Sequence, residues 1–153
     1  MSEFKDPENT LVVETTKGKV VIECRPDLAP SHVARIKELA RQGFYDGIVF
    51  HRVIDGFMAQ TGDPTGTGMG GSGKKLKAEF NAEPHMRGTC SMARANNPDS
   101  GDSQFFICFE DARFLDRQYT VWGKVVEGMD NVDKIKRGEP VRDPDSMKVA
   151  ADL

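Results

Sequence analysis

What most limits how this chain can fold is a series of short β-branched and aromatic runs. Glycine, aspartate or asparagine cuts off each run, and helical periodicity appears in only two places. Residues 11–16 and 19–24 are two such runs joined through Lys17 and Gly18, and a glycine there permits the positive φ of a tight hairpin. Further strands are expected over 48–54, 57–60, 90–93, 104–109, 119–126 and 147–150. One helix is expected from Pro30, because Val33, Ile36, Leu39 and Ala40 recur at helical spacing and Gly43 supplies a stop. A second is expected over 129–136 on Met129, Val132 and Ile135, with Gly138 beyond. Two helices so far apart in sequence cannot supply the crossovers of a parallel sheet, so the pattern predicts an antiparallel barrel or sandwich.

Composition narrows the function classes. A chain of 153 residues suits a single domain, expected over 10–153 after a charged, flexible leader over 1–9. At this size a fold buries roughly 68–70% of its unfolded surface, so neither disulfide nor structural metal is required. The net charge is −3, whereas phosphate-backbone binders concentrate a basic excess on one face; nucleic acid is not expected. The basic cluster Lys74, Lys75 and Lys77 is followed at once by Glu79 and reads as a solvated turn. No apolar stretch resembles a signal peptide or a membrane span, which makes the cytoplasm the expected compartment. Cys24, Cys90 and Cys108 are odd in number and form no C-x-x-C pair, so they read as free, buried thiols without metal or catalytic duty.

Two phosphate-loop patterns overlap in the glycine-rich stretch. Gly66 to Gly71 fits G-x-G-x-x-G, and Gly68 to Lys74 fits G-x-x-x-x-G-K. Both patterns need a following helix whose N-terminus receives phosphate, but the residues after Lys74 reach Pro84 without room for one. The Walker pattern also needs Ser or Thr where this chain has Lys75. The glycines therefore read as an irregular surface loop.

A different segment points to chemistry. Phe50-His51-Arg52-Val53-Ile54 sets an arginine within an apolar strand, and Gln60 and Gln104 are lone amides in two other apolar runs. Together with Gly56-Phe57-Met58-Ala59-Gln60-Thr61-Gly62-Asp63, Ser91-Met92-Ala93, Gly101-Asp102-Ser103-Gln104-Phe105-Phe106-Ile107 and Trp122-Gly123-Lys124-Val125, this segment resembles the cyclophilins, peptidyl-prolyl cis-trans isomerases, of bacterial type. The resemblance runs from about Leu11 to Val149.

It implies a mainly β fold: an eight-stranded antiparallel barrel closed by two α-helices, with a packed interior and an active groove on its outer face. It further implies Arg52 and Gln60 as catalytic residues. Phe57, Met58, Phe106 and Leu115 match the proline pocket, and Gln104 and the backbone around Ala93, Arg94 and Ala95 match the groove that holds a substrate peptide. Phe114 and Tyr119 line the same groove where better-known eukaryotic members carry tryptophan and histidine, and Arg94 stands where they carry asparagine, at a position used mainly through its backbone. The implied partners are proline-containing peptides and client proteins, with cyclosporin bound at reduced affinity. No cofactor or metal is implied, and a monomer is expected. The other function class that fits is a proline-peptide binding module or holdase using the same groove. His51 alternates to the opposite strand face and reads as structural; Phe105, Ile107, Phe109 and Trp122 read as barrel core.

Overall fold

The computed structural model describes residues 6–151. Eight strands make one antiparallel sheet: β1 (Thr10–Thr15), β2 (Gly18–Cys24), β3 (Arg52–Ile54), β4 (Met58–Thr61), β5 (Thr89–Met92), β6 (Phe105–Cys108), β7 (Val121–Glu127) and β8 (Met147–Ala150). Their spatial order is β3-β4-β6-β5-β7-β2-β1-β8. The register slips on both edges of β7, leaving Val126 unpaired against β2 and Trp122 unpaired against β5. Such bulges bend and twist a strand, and here they help the sheet curl until its edges meet. Gly47 N–H donates to Met147 O at 2.8 Å, Met147 N–H to Ile48 O at 3.0 Å and Phe50 N–H to Asp145 O at 2.8 Å, closing the barrel between the run before β3 and the start of β8.

That closure corrects one expected element. The strand expected over 48–54 is regular only at 52–54, because residues 47–50 face Asp145–Met147 through isolated bonds rather than a continuous ladder. Of the leader expected over 1–9, residues 1–5 lie outside the described region, while Pro7–Asn9 form one 3₁₀ turn whose Glu8 pairs with Lys37 at 2.9 Å.

Helix α1 (Pro30–Arg41) starts on proline and ends as expected. Phe44 N–H bonds Leu39 O at 3.0 Å and Gly43 N–H bonds Ala40 O at 3.1 Å, with Gly43 at φ 73°, the paired closing bonds of a Schellman end. No side chain of its own caps the start. Instead the Glu79 carboxylate accepts from the N–H groups of Ser31 (3.1 Å) and His32 (2.8 Å), a negative charge at the positive end of the helix.

Helix α2 (Met129–Val132) is shorter than the stretch expected over 129–136. After Val132 the backbone tightens into i−3 bonds (Lys134 N–H to Asn131 O, Ile135 N–H to Val132 O), while Arg137 donates its guanidinium to Asp133 O and Ile135 O. Those carbonyls are thereby taken from any continuing helix. Val132 and Ile135 still reach the core, so the apolar spacing was real although the helix is not continuous.

Trp122 is fully buried at the centre of that core, edge-on to Phe105 at 5.2 Å, which in turn meets Tyr45 edge-on at 5.7 Å. Ile107 and Phe109 join them. Period-two alternation sends Phe106 and Cys108 to the other face, where they form a second apolar cluster with Met58, Ala112 and Leu115. The barrel thus has a packed interior and a separate apolar patch outside it.

Candidate active site

Strand pairing aligns four side chains in one row: Arg52 on β3 faces Gln60 on β4, Gln60 faces Phe106 on β6, and Phe106 faces Ser91 on β5. Val53 and Ala59, one residue along, point into the interior core. The outer face of three neighbouring strands therefore carries a guanidinium, an amide and an aromatic ring side by side.

A chain of hydrogen bonds fixes the polar members. Glu139 accepts from Arg52 Nε at 2.9 Å, Arg52 Nη1 donates to Gln60 Oε1 at 3.2 Å, and Gln60 Nε2 donates to Gln104 Oε1 at 3.0 Å. Gln104 Nε2 then donates to Gly68 O and Gly70 O at 3.0 and 2.9 Å. Arg52 Nη2 donates to no group among the described residues, which leaves that edge of the guanidinium free at a residue lining the groove.

The apolar members enclose a cavity of about 280 Å³ lined by Arg52, Phe57, Met58, Gln60, Ala93, Arg94, Phe106, Phe114, Leu115 and Tyr119. Phe106 meets Tyr119 edge-on at 5.9 Å, and the Phe57 ring lies 5.6 Å from that of Phe114, a residue 68% exposed. A second cavity of about 280 Å³ adjoins the first, shares Gln60, Ala93 and Arg94 with it, and reaches Ala95 and Gln104. All twelve site residues expected from the sequence thus line these two hollows. Between them the main chain is available: Ala93 N–H is held by Gln104 O at 3.0 Å, while the N–H and C=O of Arg94 pair with nothing among the described residues. An extended peptide can add to such an edge.

Three features had no sequence signal. Glu139 reaches Arg52 from 87 residues away. His85, fully buried, stacks on the back of Phe106 at 6.2 Å and joins Ser91 Oγ (2.9 Å) to Asp116 (3.1 Å). Burial holds its pKa below the ordinary histidine value, against the opposing pull of Asp116. Burial on its own raises the pKa of Asp116, but hydrogen bonds from Arg113 and His85 outweigh it and bring it to about 2. This triplet braces Phe106 from behind. The third feature is the side chain of Arg94, which is held by bonds of its own.

The glycine-rich loop turns its amides on itself. The Asp63 carboxylate accepts from the N–H groups of Thr65 (2.8 Å), Thr67 (3.1 Å) and Gly68 (2.6 Å); these bonds overcome the cost of burial and hold its pKa low. The anion nest is filled by the chain's own acid, and no helix follows it. His51, 6% exposed, lies beneath Gly68 away from the groove, and its ring nitrogens find no protein partner. The three cysteines are free and buried.

A family model described as cyclophilin type peptidyl-prolyl cis-trans isomerase/CLD matches residues 10–151. The chain belongs to this family. It is 54% identical over 159 aligned residues to a probable peptidyl-prolyl cis-trans isomerase of Brucella abortus, covering 93% of this chain and 81% of that one. Against a peptidyl-prolyl cis-trans isomerase of Helicobacter pylori it is 47% identical, covering 83% and 80%. A crystal structure of a cyclophilin from Hirschia baltica superposes with a TM-score of 0.88 at 35% identity, covering 95% of this chain and 74% of that one. A Cryptosporidium parvum cyclophilin-type isomerase, solved in the presence of the dipeptide Ala-Pro, superposes at 0.86 with 28% identity, covering 93% and 98%. The protein is a peptidyl-prolyl cis-trans isomerase, and its eight-stranded antiparallel fold is that of the cyclophilins.

Proposed function

We propose that the outer groove is where the isomerase works, with Arg52 as its electrophile, and the observation behind this is the row Arg52–Gln60–Phe106 at the mouth of an apolar hollow. Rotation about a peptide bond meets a barrier of about 18–20 kcal/mol because the nitrogen lone pair is delocalised into the carbonyl. In the twisted state that pair localises on nitrogen. A guanidinium edge that donates to it gains an interaction nearly absent from the planar ground state, and such differential binding is what accelerates a reaction. Arginine is charged at every working pH and needs no proton transfer.

One charge-assisted hydrogen bond contributes about 1.5–3 kcal/mol, roughly ten- to a hundredfold in rate. The remainder falls to positioning. Phe57, Met58, Phe106 and Leu115 hold the pyrrolidine ring, with Phe114 and Tyr119 as outer walls. The main chain around Ala93, Arg94 and Ala95, through the unpaired N–H and C=O of Arg94, holds the peptide on one side of the bond, and the other side turns. Gln60 aims Arg52, while Gln104, whose amide hydrogens are both committed to the glycine loop, keeps Gln60 in place. No cofactor enters this scheme.

The substrates in this reading are X-Pro bonds in peptides and in client proteins during folding, handled by a monomer in the cytoplasm; the described residues include no helix long and apolar enough to cross a membrane. Cyclosporin binds the same groove weakly, because Phe114 has no indole N–H to donate. The experiment is an exchange measurement on an Ala-Pro peptide by NMR, with catalytic amounts of the protein. Faster cis-trans exchange with perturbed Phe106, Met58 and Tyr119 signals supports the assignment. Binding at these residues without faster exchange favours the holdase reading, and accelerated exchange with no perturbation in the groove overturns the site.

A further inference from the structure

Arg94 sits at the seam of the two hollows and lines both. Its side chain is half-buried and clamped: Nε and Nη2 donate to Gln118 O at 3.1 and 2.7 Å, and Nη1 donates to Ala95 O at 2.9 Å and Asn96 O at 3.3 Å. The guanidinium lies over the Tyr119 ring, 4.5 Å from its centre, an arrangement that favours a cation on an aromatic face. It ties the 93–96 segment to the 117–119 segment, the two walls between which a peptide must pass. Every acceptor is a neutral carbonyl. Arg52 and Arg87, by contrast, each meet a carboxylate, at 2.9 and 2.7 Å, whereas Arg94 forms no ion pair among the described residues.

The second hollow adds one more cation and one carboxylate. Lys75, exposed, lines the second hollow and also forms no ion pair among the described residues. The one carboxylate in that lining, Asp102, accepts from Ser72 N–H at 2.9 Å, Ser72 Oγ and Gly73 N–H at 3.0 Å and keeps its charge, so the lining carries two cations against one anion. An immobilised cation with no carboxylate bonded to it, beside its own unpaired main-chain N–H and C=O, acts on whatever side chain the bound peptide places next to its proline.

We propose that Arg94 is a specificity-determining residue that favours X-Pro substrates bearing an acidic side chain within two residues of the proline and disfavours those bearing a basic one there. This rests on the groove being the substrate site. The clamp fixes the guanidinium before substrate arrives, so little side-chain freedom is lost on binding. The interaction is rim-exposed and therefore modest and salt-sensitive.

The test is isomerisation of peptides alike except for Glu, Gln or Lys at each of the two positions before and after proline, in low and high salt. Wild-type protein should turn over Glu peptides roughly three- to tenfold better in kcat/KM than Lys peptides at one or more of these positions, and the ratio should shrink toward one in high salt. Arg94→Met should flatten the low-salt ratio. Arg94→Lys should restore it in part while raising KM for all peptides, since an ammonium cannot span both carbonyl sets. A wild type that isomerises the Gln peptides but treats Glu and Lys alike, or a ratio that survives in Arg94→Met, overturns the inference and leaves the isomerase site standing. A wild type inactive on every peptide overturns the site and the inference together.

Discussion

Arg52 and Gln60 are cross-strand partners, and Arg52 Nη1 donates to Gln60 Oε1 at 3.2 Å while Glu139 holds Nε from the other side. The two supports are unequal. The Arg52–Glu139 pair is exposed, with side-chain exposures of 42% and 57%, and exposed pairs contribute about 0–1 kcal/mol. Gln60, half-buried, also links Arg52 to Gln104 and the glycine loop. Glu139→Gln should therefore change kcat/KM less than about threefold and Gln60→Ala should lower it about tenfold. A protease-coupled peptide assay checks this, and the reverse order of effects contradicts the support scheme.

Much of this was legible in the residues. Alternation in 104–109 separates Phe105 and Ile107, which reach the core, from Phe106, which reaches the groove. The proline and glycine that bound α1 are its actual ends. What could not be read depends on long-range closure. The strand over 48–54 is shortened by where β8 arrives, and α2 is cut short by Arg137 capturing carbonyls. Glu139 reaches Arg52 only because the 138–141 segment folds back on β3, where Val53 and Gly138 exchange hydrogen bonds at 2.8 Å. Arg94, expected to act through its backbone, is held by its side chain as well, because Tyr119 and Gln118 lie next to it in space.

Stability should fall as pH drops from neutral. Burial lowers the pKa values of His51 and His85 below the ordinary 6.5. Between those values and 6.5 the unfolded chain binds protons that the folded chain resists, so the stability present above 6.5 is lost as pH falls. The lowered carboxylates, Asp63 and Asp116 among them, are ionised in both states above about pH 5 and add their loss only below about pH 4. Calorimetry should show Tm lower at pH 5 than at pH 7.5. His51→Leu removes ring nitrogens that have no protein partner, so it should leave the pH 7.5 Tm nearly unchanged and flatten the slope; an unaltered slope contradicts this origin.

The thiols should be inert in the folded protein. Burial pushes Cys24 and Cys108 up to about 12, and Cys90 well above its ordinary value, so the reactive thiolate is scarce at neutral pH. Iodoacetamide should label all three only after denaturation. Turnover should also survive chelators, since the described residues include no metal-binding cluster. Rapid native labelling with loss of activity, or inactivation by EDTA, contradicts this.

Phe114→Trp should strengthen cyclosporin inhibition. The Phe114 ring is exposed beside Phe57, so a larger indole fits without disturbing the core, and its N–H can pair an inhibitor carbonyl. A gained hydrogen bond that also relieves an unpaired carbonyl is worth about 1–3 kcal/mol, or roughly ten- to a hundredfold in affinity. Turnover of Ala-Pro peptides should change little. An unchanged inhibition constant points to Tyr119 or Arg94 instead.

The central claim is that an arginine edge aimed at the imide nitrogen, and not the groove alone, lowers the rotation barrier. The most direct measurement is kcat/KM for a short X-Pro peptide with wild type, Arg52→Ala and Arg52→Lys, alongside peptide affinity and thermal unfolding. Arg52 is partly exposed and outside the core clusters, so both variants should fold and still bind the peptide. Loss of one charge-assisted hydrogen bond predicts at least a tenfold fall in kcat/KM for Arg52→Ala, and Arg52→Lys should also fail substantially because a point charge lacks the planar fork. Folded variants that isomerise the peptide at the wild-type rate would contradict the account.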